Sequence, residues 1–419
     1  MNTPFTTLPV TRREFFRWGS RGLGLLAFSR FAPSFLVNSA LAAAPAPEKG
    51  RTILVLVQLA GGNDGLNTVI PFADADYYRL RPTLGIPKAD VLPINDTLGF
   101  NPAMSAMSGL LKEGKLGIIQ NVGYPNPNHS HFRSTEIWET ASDSNVNLPT
   151  GWIGRYLDNA CAGVPAGVGD DPVAVHATGE TPQSFMSADT HPTFGLGLNA
   201  GTGRQQQREN LTLLRQLAAH PDHHDSPNST FLKATLMDAL VTEQKVQNIL
   251  GSYRAASAYP GNAFAASLRN VAALIAAGLS TRVYFVSLGG FDNHQNQFNP
   301  HNNNLRTLSD GLAAFQQDLE AKQLDSQVLT MTFSEFGRRP SENQSKGTDH
   351  GTAAPLFVMG SKLKGALFGT APVLSNLPRN EDLTFSTDFR QIYATVLDQW
   401  LQSPAQKILG TPYAPLGFV

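Results

Sequence analysis

Residues 52–65 read TILVLVQLAGGNDG, and this stretch sets the architecture of the chain. Its first part, Thr52–Leu59, is a continuous run of apolar and β-branched residues, which predicts a strand buried on both faces. Gly61 and Gly62 then allow close backbone approach, and Asp64 offers a hard oxygen ligand. We therefore predict an α/β protein with chemistry at the carboxyl end of its first strand, although Asn-Asp-Gly is also typical of a simple turn.

The rest of the chain alternates similar runs with amphipathic helices, which predicts a three-layer sandwich with a mainly parallel sheet. Further strands are predicted at Leu116–Asn121, Pro172–His176, Arg282–Leu288, Gln327–Phe333 and Pro355–Met359. Helices are predicted at Ala103–Lys112, Arg208–Ala219, Thr230–Tyr253, Asn262–Ala277, Leu305–Lys322 and Asp388–Gln402, with another through Glu136. The range 148–228 is rich in loops and is interpreted as an insertion or cap.

The first 42 residues predict an export signal. The pair Arg12-Arg13 precedes an apolar stretch, Trp18–Leu41, which Arg21 interrupts, so the stretch is a poor permanent membrane span. A twin-arginine pair directs a chain to a pathway that exports folded proteins. We expect the mature protein to begin at about Ala43, to form one domain over residues 43–419, and to work in the periplasm or outside the cell.

Composition excludes several classes of partner. The 32 Lys+Arg and 33 Asp+Glu leave a net charge of -1, which gives no electrostatic case for nucleic acid or an anionic membrane. The single cysteine, Cys161, cannot form an internal disulfide, and no Cys/His series predicts a structural zinc module. Any partner must therefore be recognised at a local site.

A polar segment, Asn128–Ser134, precedes the predicted helix through Glu136. Backbone N–H groups at a helix start favour an anion, and Arg133 can add a charge-assisted bond to a phosphate or sulfate. Ser130 beside His131 could also form a nucleophile with its base, although side chains adjacent in sequence often diverge.

Asp292 and His294 follow the predicted strand that ends at Leu288. If the chain stays extended there, alternation places both side chains on one side. A carboxylate and an imidazole at that spacing suit one transition metal. The alternative is a helix N-cap aspartate with a histidine at the surface.

Three more candidate metal ligands occur around the last two long predicted strands of the sequence. Glu335 ends a buried strand, where a carboxylate is costly unless it is paired or binds a metal. It could instead form an ion pair with Arg338 or Arg339. Asp349 and His350 lie between glycines in a polar loop before the last long strand.

Ligands of an open α/β sheet bind outside the carboxyl ends of its strands, and these segments follow strands or lie in adjoining loops. Together they predict a hydrolytic site with one or two metals. The predicted metal-ligating residues are Asp64, His131, Asp292, His294, Glu335, Asp349 and His350.

The order of these segments resembles the domain-of-unknown-function 1501 family of twin-arginine-exported bacterial proteins, within the alkaline phosphatase and sulfatase superfamily. The resemblance rests on Gly-Gly-Asn-Asp-Gly, Ser-His-Phe-Arg-Ser, Gly-Gly-Phe-Asp-x-His, Ser-Glu-Phe-Gly-Arg and Gly-Thr-Asp-His-Gly, and covers nearly all of the mature chain. It implies an alkaline phosphatase/sulfatase-like α/β fold. It also implies that Asp64 and Asp292 ligate different metals, and that His350 is the late ligating histidine.

Two positions depart from the superfamily pattern. Phe336 follows Glu335 where a histidine ligand is expected. His131, with Ser130 just before it, falls at the position of the nucleophile. Its role is then a nucleophile, an oxyanion donor or a replacement metal ligand, and we expect the last. Ser130, His131 and Arg133 are the predicted catalytic residues.

We thus expect an exported metal-dependent hydrolase of phosphate or sulfate esters that acts on a small anionic ester. The expected cofactor is one or two divalent ions, zinc, manganese or calcium. An alternative is a degenerate, non-catalytic binding or assembly protein that acts with an exported partner protein. In a third hypothesis the metal has a purely structural role.

Overall fold

The computed structural model describes residues 51–162, 171–189, 191–196, 242–375, 377–378 and 382–419. The predicted export signal, the predicted helix Arg208–Ala219 and residues 230–241 of the predicted helix Thr230–Tyr253 lie outside these residues. Within them, no helix combines the length and the apolar character that crossing a membrane requires.

A large, mostly parallel sheet forms the middle layer. Its strands are β1 (Ile53–Leu59), β5 (Leu116–Gly123), β6 (Ala174–Ala177), β7 (Thr193–Gly195), β8 (Val283–Leu288), β9 (Val328–Phe333), β10 (Ala354–Met359), β11 (Leu367–Phe368) and β12 (Thr387–Asp388). The strand order is β11-β5-β10-β9-β1-β8-β6-β7, and β12 pairs with β5. Strand β10 runs antiparallel to both of its neighbours, β9 and β5. A small antiparallel sheet, of order β2-β4-β3, stands apart. It is formed by β2 (Val69–Ile70), β3 (Leu92–Pro93) and β4 (Gly99–Phe100).

Strand β1 lies between β8 and β9 and is buried on both faces, as its sequence predicts. Its side chains alternate between two hydrophobic clusters: Ile53 and Val55 belong to one, Leu54 and Leu56 to the other. Full burial of each such side chain stabilises the fold by roughly 1.5–3 kcal/mol.

Helices cover both faces, which completes the predicted three-layer sandwich. They include α1 (Ala75–Leu80), α2 (Ser105–Lys112), α3 (His131–Thr140), α4 (Trp152–Ala160), α5 (Ala263–Ala276), α6 (Phe298–Ala321), α7 (Phe389–Thr395) and α8 (Ala405–Leu409). Helices α2, α5 and α6 contribute to the cluster of Ile53, and α3, α4, α7 and α8 to the cluster of Leu54.

Most predicted elements are confirmed to within two residues, but α6 begins at Phe298, seven residues before the predicted start. The added turns are rich in asparagine, so they carry no apolar period. Pro300 lies in the first turn, where its missing N–H leaves no hydrogen bond broken. The predicted helix at the C-terminus is also shorter as an α-helix, because α7 passes into a π-helical turn, Val396–Trp400.

The described part of the range 148–228 contributes to the main sheet. Helix α4 packs under it, and β6 and β7 extend its edge next to β8. Residues 163–170 and 197–228 of that range lie outside the described residues, so an insertion there stays a prediction.

Candidate functional site

The candidate site lies at the carboxyl edge of β1, β8 and β9, which are parallel neighbours. The loops that leave these strands approach closely. Gly61 has φ +116°, and a Cβ there would lie 2.4 Å from the backbone nitrogen of Asp292. A glycine is therefore required for the loop after β1 to pass the loop after β8.

Three histidines and one aspartate converge at this edge, and we call His131, Asp292, His294 and His350 the imidazole cluster. The Nε2 atoms of His294 and His350 are 2.9 Å apart. They lie 3.0 Å and 3.5 Å, respectively, from Oδ1 of Asp292. Nε2 of His131 is 3.4 Å from the other oxygen, Oδ2. One ligand atom each from His131, Asp292 and His350 fall within 4.8 Å of one another, a spacing that can hold a metal ion.

Each imidazole is held from behind through its Nδ1 atom. His350 Nδ1 donates to the carbonyl oxygen of His129 at 2.7 Å, because a carbonyl can only accept. His131 Nδ1 lies 3.0 Å from Oε1 of Glu335, and His294 Nδ1 lies 3.4 Å from Oδ1 of Asp349. A neutral imidazole with its proton on Nδ1 presents a lone pair at Nε2. With its proton on Nδ1, each of the three rings would present an Nε2 lone pair to a metal ion beside Asp292.

Lone pairs and a carboxylate at 2.9–3.5 Å repel one another unless a proton or a metal ion lies among them. Burial, with the charge of Arg338, lowers the pKa of His350 and disfavours a proton there. Burial acts to raise the pKa of Asp292, but the Arg338 hydrogen bond and charge outweigh it and lower that pKa. The donor set of His131, Asp292 and His350, two imidazole nitrogens and a carboxylate, fits one divalent transition metal, and His294 lies next to two of these three residues.

Glu335 and Asp349, predicted as ligands, lie on the outer side of the rings. Glu335 is 2% exposed, and its Oε1 accepts from the backbone N–H of Gly61 at 2.7 Å as well as facing His131. Partners of this kind fix the tautomer and orientation of a ligating histidine. Oε2 of Glu335 is buried and has no hydrogen-bond partner among the described residues.

Arg338 fixes Asp292 from the buried side. Its Nη2 donates to Oδ1 of Asp292 at 2.8 Å, and the guanidinium also donates to the carbonyl oxygens of Gly61, Gly62, Phe291 and Thr348. The sequence offered Arg338 as an ion-pair partner of Glu335. In the structure its carboxylate partner is Asp292 instead.

Asp64 is not part of the imidazole cluster. Its Oδ2 is 2.6 Å from Nη1 of Arg81 and also accepts from Nε2 of Gln297. Burial raises the pKa of Asp64, but the Arg81 charge and hydrogen bond outweigh it, so that the pKa lies below its usual value. Arg81 follows α1, a helix that the sequence analysis missed, and no sequence signal links it to Asp64.

The predicted anion-binding residues have other surroundings. The Arg133 guanidinium donates to the carbonyl oxygens of Asp143, Ser144 and Val146 and pairs with Glu136 at 2.7 Å. Arg133 therefore holds the loop after α3 and does not face the imidazole cluster. Ser130 is exposed at the N-cap of α3 and makes no side-chain cap hydrogen bond, so the first turn of α3 is uncapped.

Phe336 packs against the cluster where the resemblance implies a histidine ligand. Its ring centroid is 4.9 Å from that of His131 and 4.4 Å from that of His350. Sequence reasoning missed the role of the His129 carbonyl oxygen, which accepts the hydrogen bond from Nδ1 of His350. The imidazole of His129 lies 3.3 Å from Asp382. A backbone acceptor leaves no signature in side-chain pattern.

Several solved structures are similar to this chain in their backbone. The C-terminal periplasmic domain of EptC from Escherichia coli, in complex with Zn, is 12% identical, with 76% of this chain and 75% of that chain covered and a TM-score of 0.34. The PsFucS1 sulfatase from Pseudoalteromonas sp. is 11% identical, with 87% and 68% covered and a TM-score of 0.37. A protein in the alkaline phosphatase superfamily from Vibrio parahaemolyticus is 9% identical, with 77% and 63% covered and a TM-score of 0.32.

These likenesses are too distant to bear on the chemistry of the site, and no curated protein matches the chain. One family model matches residues 51–408, a range that holds every strand of the main sheet and the whole imidazole cluster. The chain therefore belongs to the family described as "Protein of unknown function (DUF1501)".

Proposed function

We propose that this chain is an exported, metal-dependent hydrolase of phosphate or sulfate esters. The observation that supports it is the convergence of three Nε2 atoms on Asp292, each ring held at Nδ1 by an oxygen acceptor. An arrangement with every imidazole oriented from behind is typical of a metal centre.

The donor set bears on which ion would bind. Calcium takes six to eight oxygen ligands, whereas imidazole suits zinc and other transition metals. We therefore propose zinc, held by His131, His294, His350 and Asp292. Glu335 and Asp349 would orient the rings, and Asp64 would have a structural role.

The site is accessible to a substrate. The side chains of Asp292 and His294 are 47% and 44% exposed. A bound divalent ion would act as a Lewis acid on an ester oxygen. The uncapped first turn of α3 begins at His131, so its N–H groups would orient the anionic oxygens of a phosphate or sulfate at the cluster. Ser130, exposed at that helix start, would lie beside the ester as a candidate nucleophile.

The test is turnover by the purified full chain with aryl phosphate, aryl phosphodiester and aryl sulfate, each with added zinc or manganese. Asp292→Asn and His350→Ala should each lower kcat/KM at least 100-fold. His191→Gln is the matched control, because His191 forms an Asp–His pair with Asp158 outside the cluster. The proposal is wrong if wild type turns over none of the three esters, or if Asp292→Asn leaves kcat/KM unchanged.

One observation favours a second candidate, a non-catalytic exported binding or assembly protein. With His294 added to His131, His350 and Asp292, four protein donors would complete a tetrahedral shell, and closed four-ligand zinc sites are usually structural. In that case the purified protein would hold metal and lose stability on chelation, since metal binding and folding are linked, but would hydrolyse no ester.

Export is part of the proposal and has its own test. Replacing Arg12 and Arg13 by lysine should keep the full-length precursor inside the cell, because the twin-arginine pathway reads that pair. Fractionation of cells that express wild type or the double variant would show this. Equal amounts of processed protein outside the cytoplasm in both strains would reject twin-arginine export.

A further inference from the structure

The superfamily resemblance implies two metal ions, and three groups of this chain bear on whether a second ion can bind. The first group is the buried ion pair of Asp64 and Arg81, whose side chains are 2% and 0% exposed. Arg81 and Gln297 both bind Oδ2, and the fixed guanidinium neutralises the carboxylate, so Asp64 attracts a further cation only weakly; its Oδ1 has no hydrogen-bond partner.

Arg338 is the second group. Its side chain is 1% exposed, and five backbone or carboxylate oxygens hold it in place. This places a permanent positive charge against Asp292, on the side away from solvent. A second metal ion on that side of the carboxylate would meet an immobile like charge in a region of low dielectric constant.

Phe336 is the third group. A Cβ added to Gly62 would lie 2.3 Å from the Phe336 ring, so ring and loop are already in close contact. The ring also packs on His131 and His350, and the Arg338 guanidinium carbon lies 5.8 Å from its centroid. An apolar ring and a guanidinium thus occupy the region between the loops after β1 and β9.

We propose that the centre binds one divalent transition-metal ion per chain, and that the Arg338 guanidinium, backed by Phe336, takes the place of a second. This rests on the metal site of the proposed function but not on hydrolysis. Among the described residues, two buried carboxylate oxygens without a hydrogen-bond partner could serve a second ion, Oε2 of Glu335 and Oδ1 of Asp64. A second ion bound at either of these two carboxylates would contradict the proposal.

The experiment measures metal stoichiometry. The purified full chain is freed of metal with a chelator and titrated with ZnCl₂ by calorimetry, and zinc per chain is then measured by elemental analysis after gel filtration. Wild type should bind one zinc ion per chain. Two ions per chain, or none, would overturn the proposal, whereas absence of ester turnover with one ion bound would reject only the hydrolase.

Glu335→Gln separates the two interpretations of Glu335. If Glu335 only orients His131, the variant should still bind one ion, with affinity reduced about 10- to 100-fold. Glu342→Gln is the matched control, because Glu342 accepts hydrogen bonds from Thr83 and Leu84 and has no contact with the cluster. A fall from two ions in wild type to one in Glu335→Gln would place a second ion on Glu335 and refute the proposal.

Discussion

Asp64→Asn tests whether the most conspicuous acid of the sequence is structural or ligates metal. Its Oδ2 lies 2.6 Å from Nη1 of Arg81, and both side chains are buried. The pKa of Asp64 is lowered because the Arg81 charge and hydrogen bond outweigh the effect of burial, so the carboxylate is ionised at neutral pH. The substitution therefore leaves a buried guanidinium without its counter-charge.

Breaking a buried ion pair by removing one partner costs roughly 3–5 kcal/mol. Asp76→Asn is the matched control, because Asp76 pairs with Arg79, whose side chain is 64% exposed, and such surface pairs contribute at most about 1 kcal/mol. Urea unfolding at pH 7, followed by circular dichroism, should show a much lower midpoint for Asp64→Asn than for Asp76→Asn. Zinc bound per folded chain should be the same in both. Equal midpoints, or loss of zinc without loss of stability in Asp64→Asn, would refute a structural role.

Three further predictions concern pH and Arg133. Burial lowers the pKa of His301 to about 4. As the pH falls from 6.5 to 4, the unfolded chain therefore binds a proton before the folded chain does, and the free energy of unfolding falls by up to about 3 kcal/mol. In urea unfolding measured across this pH range, His301→Gln should not show that fall. Burial raises the pKa of Glu139 to about 7, so the free energy of unfolding declines as the pH rises from 4.5 to 7 and the buried carboxyl loses its proton. In the same assay, the free energy of unfolding of Glu139→Gln should rise by up to about 3 kcal/mol relative to that of wild type over this interval. The two residues change the free energy of unfolding in opposite directions with pH, so their effects cancel in wild type and each variant must be compared with it. A variant whose free energy of unfolding runs parallel to that of wild type over pH would contradict the pKa assigned to that residue. Arg133 holds the loop after α3 through the carbonyl oxygen of Val146, so Arg133→Ala should speed amide exchange at Val146 and change KM for an aryl phosphate less than tenfold. A larger rise in KM would indicate that Arg133 binds the anion.

The architecture was predictable because it depends on patterns that span whole elements. Strand β1 is apolar at nearly every position, which only a sheet covered on both faces accommodates. The ends of β8 and β9 then place Asp292 and Glu335 at the same edge as the loop after β1. Proximity at that edge follows from strand direction alone.

The roles of the site residues depend on side-chain direction, which sequence spacing does not give. His294 and Asp349 were both expected at the site, but only the coordinates show that the carboxylate faces Nδ1 of the imidazole and leaves Nε2 for the cluster. The partner of Asp64 was unpredictable for a similar reason. Arg81 reaches it only because the short helix α1 ends beside the loop after β1.

The most direct measurement is an anomalous difference map from crystals of the zinc-loaded protein, recorded at the zinc absorption edge. The account predicts one peak about 2.0–2.2 Å from Nε2 of His131, His294 and His350 and from a carboxylate oxygen of Asp292. Density beside Asp64, or no peak within reach of the three imidazoles, would contradict it.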